Sequence, residues 1–424
     1  MKTLFITLSF LSLNLWANDK YYGAKSTEAI LRFAGKIDVE KGLSAAKKRE
    51  LIDLQVQHLI GHFQAPTYLE KYKLPGVPGE QYKITLARER VNNDRAEVNY
   101  RYEGKVNFHR NAFRHSDEAT VVVHLPLNPE TIYDLGVVRG KNRCTDETYN
   151  SPGDFFYFWD PDKEGCPLKG NTEEVLRINA KLERLANTTS TYPEYDRLYN
   201  KDVLKLAVFV GHIDNSSSRD LGAYAYRGLR DRLKSELGLE LKSEIRGVNE
   251  GKNQLAKFQG FTKTQLGTEQ KIELTLLLAD TEVDSSDPTF HKEIKKAFEQ
   301  ADVIGYDGHS GLGGNLDLNN LPTINFTRDY QIFFFNGCSS YPYFNRQYFA
   351  AKPGGSRNLE IITAGLPTLT TTSEDNMLAF LTPFIRGYQT SWQNIMNRLE
   401  ASNGDESTYL MGVNGDEDNR FRPR

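Results

Sequence analysis

Two short, unbroken apolar runs constrain this chain more than anything else in it. The first is Ala301-Asp302-Val303-Ile304-Gly305-Tyr306-Asp307-Gly308-His309-Ser310-Gly311. The second is Tyr330-Gln331-Ile332-Phe333-Phe334-Phe335-Asn336-Gly337-Cys338-Ser339-Ser340. Neither alternates with polar residues, so each reads as a strand buried on both faces that stops at small residues. The carboxyl ends of neighbouring parallel strands open on one crevice, where ligands bind. His309 leaves the first run and Cys338 the second, so adjacent strands would bring them together. Cysteine attacks as the thiolate, and a neighbouring imidazole is the usual means of generating it near neutral pH.

The surrounding sequence alternates in the same way. Leu204–Val210 reads as an apolar strand exiting into Gly211-His212-Ile213-Asp214, followed by a helix from Ala223 to Leu237. Lys271–Leu278 reads as a strand, Phe290–Gln300 as a helix, Leu359–Ala364 as a further strand and Met377–Phe384 as the start of another helix. Strands alternating with helices predict an α/β unit over 201–400, with a mostly parallel sheet covered on both faces. The stretch 239–267 is extra and reads as an inserted hairpin.

The Tyr306-Asp307-Gly308-His309 and Phe335-Asn336-Gly337-Cys338 motifs, with the apolar strand Leu359-Glu360-Ile361-Ile362-Thr363-Ala364 behind them, resemble the caspase–gingipain superfamily of cysteine peptidases, its gingipain branch above all. The likeness spans about Val203 to about Leu399. It implies Cys338 as nucleophile and His309 as the proton-transfer group, with the oxyanion held by the backbone N–H groups of Cys338 and Ser310. It implies an acidic group near the first strand exit, which would be Asp214, to orient the histidine. Asp220 falls near the family's primary specificity pocket, where an acid would favour Arg or Lys, although Arg219 stands beside it. Gly308 and Gly311 would let a substrate approach the backbone closely. The sequence departs from the family at Ser310, where Gly is usual, and at Gly337, where Ala is common. A backbone donor does not depend on the side chain, so Ser310 leaves the oxyanion site intact.

Met1-Lys2-Thr3-Leu4 through Ala17 reads as a secretory signal peptide: Lys2 is the charged start, and the apolar stretch is too short to span a bilayer as a helix. No other run is apolar and long enough to cross a membrane, so an exported chain is expected, periplasmic or secreted. The formal charge of −3 and the lack of a basic block argue against nucleic acid and leave a peptide or protein as the expected partner. Of the three cysteines, Cys144 and Cys166 lie 22 residues apart in a loop rich in Gly, Pro, Asp and aromatics. A disulfide there would stabilise a loop with little regular structure and leave Cys338 free. The alternative for Cys338 is a small buried core residue.

Residues 18–200 read as an α+β unit with antiparallel strands, either a pro-domain or a recognition module. Ser26–Phe63 carries helical patterning, clearest after the cap at Ser44. Gln81–Val91 and Arg95–Phe108 read as a hairpin around Asn92-Asn93-Asp94, Thr120–Leu125 as a strand and Thr172–Leu185 as a helix. Phe155–Trp159 reads as an aromatic core plug. His58 and His62 share a helix face as paired metal ligands do, but no glutamate follows His58, so they read as ordinary helix residues. No metal or other cofactor is expected. Asn403-Gly404-Asp405-Glu406 and Asn414-Gly415-Asp416-Glu417-Asp418 are the clusters that calcium would suit; the simpler reading is exposed turns in a polar tail over 401–424. The leading expectation is a cysteine endopeptidase. The rival is a non-catalytic protein that binds a peptide or glycan in the same crevice.

Overall fold

The computed structural model of the protein describes residues 21–186, 191–214, 219–248, 253–282, 287–344, 346–404 and 410–423. The expected signal peptide and the Asp405-Glu406 pair lie outside the described residues. Strands β1 (Tyr22–Gly23) and β2 (Ser26–Glu40) come first, followed by helices α1 (Ala45–His62) and α2 (Pro66–Tyr72). Strands β3 (Gly76–Asn92), β4 (Arg95–His109) and β5 (Glu118–Pro126), helix α3 (Ile132–Leu135) and the short pair β6 (Val137–Val138) and β7 (Lys141–Asn142) follow. A long loop then leads to β8 (Val175–Arg184) and α4 (Tyr195–Leu198). The second half runs β9 (Val203–Gly211), α5 (Leu221–Ser235), β10 (Glu240–Val248), β11 (Asn253–Lys263), β12 (Glu269–Ala279), α6 (Pro288–Gln300), β13 (Val303–Asp307) and β14 (Gln331–Asn336). It ends with α7 (Arg346–Ala351), β15 (Leu359–Thr363), α8 (Ser373–Ile385), α9 (Trp392–Ser402) and β16 (Gly412–Asn414).

These elements form a mixed α/β structure around one 14-stranded sheet, ordered β10-β11-β12-β9-β13-β14-β15-β16-β1-β2-β4-β3, with β8 pairing β2 and β5. The expected mostly parallel sheet is a parallel block, β12-β9-β13-β14-β15, inside a sheet that is antiparallel elsewhere. The reason is β16. Its three residues pair antiparallel with β15 on one side, Val413 opposite Ile362, and with β1 on the other, Val413 opposite Tyr22. A segment expected to be an exposed tail is therefore built into the sheet, and Val413 and Asp416 are fully buried.

Counted along the chain, the parallel strands lie in the doubly wound order 2-1-3-4-5, which reverses direction between β9 and β13. Successive strand residues point to opposite faces, and both faces are covered. Leu206 and Val208 join Tyr226, Leu229 and Leu233 of α5, Phe380 of α8 and Trp392 of α9 in one core. Ala207 and Phe209 join Phe290, Ile294 and Phe298 of α6 and Tyr348 of α7 in another. Phe334 belongs to the first core, Phe333 and Phe335 to the second, and all three are fully buried. Burying each contributes about 1.5–3 kcal/mol.

Two segments with expected helical patterning are strands. In β2, Ala29, Leu31, Phe33, Ile37 and Val39 are buried on alternate positions. In β8, Ile178, Ala180 and Leu182 are buried while Arg177, Lys181 and Glu183 face outward or lie at the surface, and the strand runs opposite β5 with Ala180 facing Val121. The hairpin of β3 and β4, the helix α1 from the Ser44 cap, and the inserted hairpin β10–β11 take the expected forms. Cys144 and Cys166 form the expected disulfide. Beside it, Phe155 and Trp159 make a small core, and Trp159 Nε1 donates to His124 O at 2.9 Å.

Candidate active site

The crevice at the carboxyl ends of the parallel strands is built by three glycine-lined exits. Gly211 ends β9, Gly308 follows β13 and Gly337 follows β14. A Cβ on Gly337 would stand 3.2 Å from Gly308 O and 3.4 Å from the Ser310 Cβ; one on Gly308 would stand 3.2 Å from the Gly211 Cα. Side chains would push these exits apart, so glycine is what allows the loops to touch. The contact places Cys338 and His309 on abutting turns, as the two apolar runs predict.

Cys338 is the free cysteine and is partly buried. Its Sγ lies 3.8 Å from both Thr368 O and Thr368 Oγ1, in the loop after β15. Burial pushes the thiol above its ordinary range; the Thr368 contacts oppose this, and the negative charge of Asp307 adds to it. The thiol is not bonded to His309. That imidazole directs Nε2 to Ile213 O at 3.3 Å and to Glu282 Oε1 at 3.2 Å. Cys338 and His309 are thus adjacent in the fold but not joined in a hydrogen-bonded pair.

The thiol is flanked by rings. Tyr149, Phe158 and Tyr343 pack with Cys338 against Ile60, Phe156 and Tyr157. Four of these rings, Tyr149, Phe156, Tyr157 and Phe158, belong to the loop between Cys144 and Cys166. Tyr149 stacks on Tyr157 with centroids 4.8 Å apart. Helix α1 presses the loop into place at Gly61, where a Cβ would overlap Phe156 O and Trp159 N. The aromatic plug expected from the sequence is therefore also the wall of the crevice.

Among the described residues, neither the Cys338 N–H nor the Ser310 N–H, the backbone donors expected to hold an oxyanion, donates to the oxygen of another residue. Ser310 itself is buried, and Gly311 takes a positive φ of 53°. Ser339, directly after Cys338, has φ 46° with its side chain fully buried. Such strain persists only where the surroundings over-determine it; here Ser339 N–H donates to Leu366 O at 3.1 Å, and Ser340 Oγ bridges Phe335 O and Ala364 N, each at 2.8 Å.

One expected acid stands elsewhere than its assigned role requires. Asp220 is a buried N-cap of α5: its carboxylate accepts from Ile213 N, Asp214 N and Ala223 N, each at 2.7 Å, and meets His212 Nδ1 at 3.1 Å. Burial pushes this carboxyl up, but the three backbone donors and His212 outweigh it and hold it below the usual carboxylate range. A group so committed cannot greet a substrate cation, which corrects the pocket role expected of Asp220. Asp214 is exposed at the rim, and its backbone serves Asp220. The acid beside His309 is Glu282 of the turn after β12. That strand exit, Ala279-Asp280-Thr281-Glu282, carries the same signal that singled out the others, an acid directly beyond an apolar strand.

The remaining candidates are structural. His58 and His62 are buried in α1, with His58 Nδ1 at 3.0 Å from Leu54 O and His62 Nε2 at 3.0 Å from Val122 O. Asp416 Oδ2 accepts from Thr191 Oγ1 at 2.5 Å, deep in the fold. Among the described residues no group of three or more His, Cys, Asp or Glu side chains is arranged to hold a metal ion, and no helix is long and apolar enough to cross a membrane. No protein-family model matches the chain, and no curated protein matches it.

Proposed function

We propose that the chain is an exported cysteine endopeptidase of the caspase–gingipain kind, with Cys338 as nucleophile, His309 as proton-transfer group and the N–H groups of Cys338 and Ser310 as oxyanion donors. The observation that carries the reading is the contact of Gly337 with the Gly308–Ser310 turn at the carboxyl ends of β13 and β14. It brings the turn that carries Cys338 against the turn that carries His309 at the rim of a parallel block, and the motif order resembles that superfamily. The Cys144–Cys166 disulfide accords with an oxidising compartment. In the reaction, the thiolate adds to the scissile carbonyl, the oxyanion receives the two backbone N–H bonds, and His309 passes the proton to the leaving amine. Asp214, exposed at the rim, would favour a basic residue before the cut.

A second reading has its own support. The raised thiol, the flanking rings and the engagement of His309 Nε2 by Ile213 O and Glu282 suit a protein that binds a peptide or glycan in the crevice without cutting it. Assaying peptide-library cleavage by the wild type, Cys338→Ala and His309→Ala separates the two. The peptidase reading expects turnover in the wild type, its loss in both variants and unchanged melting temperatures. Cleavage that survives in purified Cys338→Ala refutes it.

A further inference from the structure

We propose that an open basin at the amino ends of the parallel strands binds a sugar carrying one phosphate or sulfate group, through Arg197, Arg357 and Arg420. The basin spans about 940 Å³, a size that suits a small molecule. Arg197 lies in α4, ahead of β9, Arg357 in the turn before β15, and Arg420 beyond β16. Three segments far apart in sequence thus bring guanidinium groups to one hollow. It sits at the opposite end of the strands from Cys338 and His309, so the proposal does not depend on the peptidase reading.

Solvated arginines are ordinary on a protein surface. Two observations set these apart. The first is that their seats are fixed. The Arg197 guanidinium lies 5.0 Å from the centroid of the buried Tyr330 ring, and it donates Nη1–H to Arg357 O at 2.5 Å and Nη2–H to Asn358 Oδ1 at 2.6 Å. Arg420 N–H donates to Glu194 Oε1, and Asn419 Nδ2 to Tyr192 O at 2.7 Å, which ties the C-terminal segment to the approach to α4. The second is charge. Arg32, Arg95, Arg230 and Arg232 each meet a carboxylate. Among the described residues none of the three basin arginines does, although Glu194 and Asp418 line the same hollow. Glu194 Oε1 instead accepts from the backbone N–H groups of Arg420 and Phe421, and Asp418 Oδ2 from Ser356 Oγ at 3.3 Å. Guanidinium forks match phosphate oxygens in geometry and charge. Three of them suit the three free oxygens of a phosphate or sulfate ester better than the two of a carboxylate. The neighbouring carboxylates repel a chain of anionic groups, so a single anionic group fits where a polyanion does not. Asp418, exposed beside the arginines, is an acceptor for hydroxyl groups, which a sugar supplies.

Calorimetric titration of the full chain with glucose 6-phosphate, glucose 6-sulfate, inorganic phosphate, inorganic sulfate and glucose tests this. Saturable binding is expected for at least one ester, about fivefold tighter than for the matching inorganic ion because the hydroxyls add a hydrogen bond. Glucose alone should not bind. Arg357→Gln and Arg420→Gln should each weaken the ester about tenfold, since each removes a charge-assisted bond. Both side chains are exposed, so Tm should stay unchanged. Arg101→Gln, at an exposed arginine on β4, should leave binding as it is, which separates the basin from the general field of the protein. Asp418→Ala should bring the ester and the inorganic ion to the same affinity, by removing a hydroxyl acceptor and a like charge together. Failure of both esters to bind, binding no tighter than that of the inorganic ion, or equal losses in Arg101→Gln and Arg420→Gln overturns the proposal. No readout involves peptide cleavage, so the outcome leaves the peptidase reading where its own assay puts it.

Discussion

Asp307 and Asn336 face each other in register across β13 and β14, and Asn336 Nδ2 donates to Asp307 Oδ1 at 3.0 Å. The pair is buried, two residues before His309 on one strand and two before Cys338 on the other. It ties the two exits together from below and sets a carboxyl group close enough to the thiol to raise it. Burial pushes Asp307 itself up to about 6, against the bonds from Ser373 and Asn336.

The first prediction concerns this carboxyl. A folded-state value above the ordinary 3.8 means that the folded chain holds the proton more tightly. The stability contributed by the protonated form is full below about pH 4 and is lost as pH rises through about 6. Asp307→Asn keeps an oxygen for Asn336 and cannot ionise. It should gain about 3 kcal/mol over wild type at pH 8, with the gain vanishing towards pH 4. Alkylation of Cys338 should also quicken. Thermal melts at pH 4, 6 and 8 check the first part, and a gain independent of pH would contradict it.

The second concerns the rings over the thiol. Because burial is the largest cause of the raised thiol, opening the cover should lower it. Tyr149→Ala and Phe158→Ala should each speed iodoacetamide labelling of Cys338 at pH 7, by roughly tenfold together. Phe261→Ala, which removes an exposed ring on β11, should change nothing. Equal labelling rates in all of these proteins would remove the loop from any role at the crevice.

The third concerns Asp220. As a buried cap with four partners, it should matter to folding before it matters to specificity. Asp220→Ala should lower stability by about 2–3 kcal/mol, because three backbone donors lose their acceptor. Denaturant titration reads the loss, and library profiling reads the side-chain preference. A change of preference at unchanged stability would return Asp220 to the pocket.

The fourth concerns acid. Burial lowers His58 to about 4 and His62 to about 3, with backbone carbonyls opposing the shift. Both must stay neutral in the folded chain, whereas unfolded histidines bind protons below about pH 6.5. Stability therefore falls as pH drops from 6.5 towards 4, by about 3 kcal/mol for His58 alone. His58→Phe keeps a ring against Phe155 and Trp159 and should flatten this slope. Melting curves from pH 7 to pH 4 on both proteins test it, and parallel slopes would rule it out.

Much of the second half was legible in the sequence because its information is local. Apolar runs of five or six residues bounded by glycine could only be strands covered on both faces. The capped amphipathic stretches between them could only be helices on those faces. Spacing and loop composition pointed to Cys144–Cys166 as a pair and left Cys338 free. In β8, Leu176, Ile178, Ala180 and Leu182 alternate with polar residues at the period of two that marks a strand, so the expected helix over Thr172–Leu185 ran against a local signal, and pairing with β5 and β2 fixes the register. The three-residue β16 carries no pattern of its own, and it is a strand because β15 and β1 offer edges on either side. The site divides along the same line. That Cys338 and His309 leave neighbouring strands follows from each motif and its exit. That Glu282, rather than Asp214, meets His309, that Asp220 is a cap, and that rings from the disulfide loop stand over the thiol follow from strand order and packing between segments far apart in sequence. No local repeat encodes them, because a contact between distant segments exists only once the sheet has set their distance.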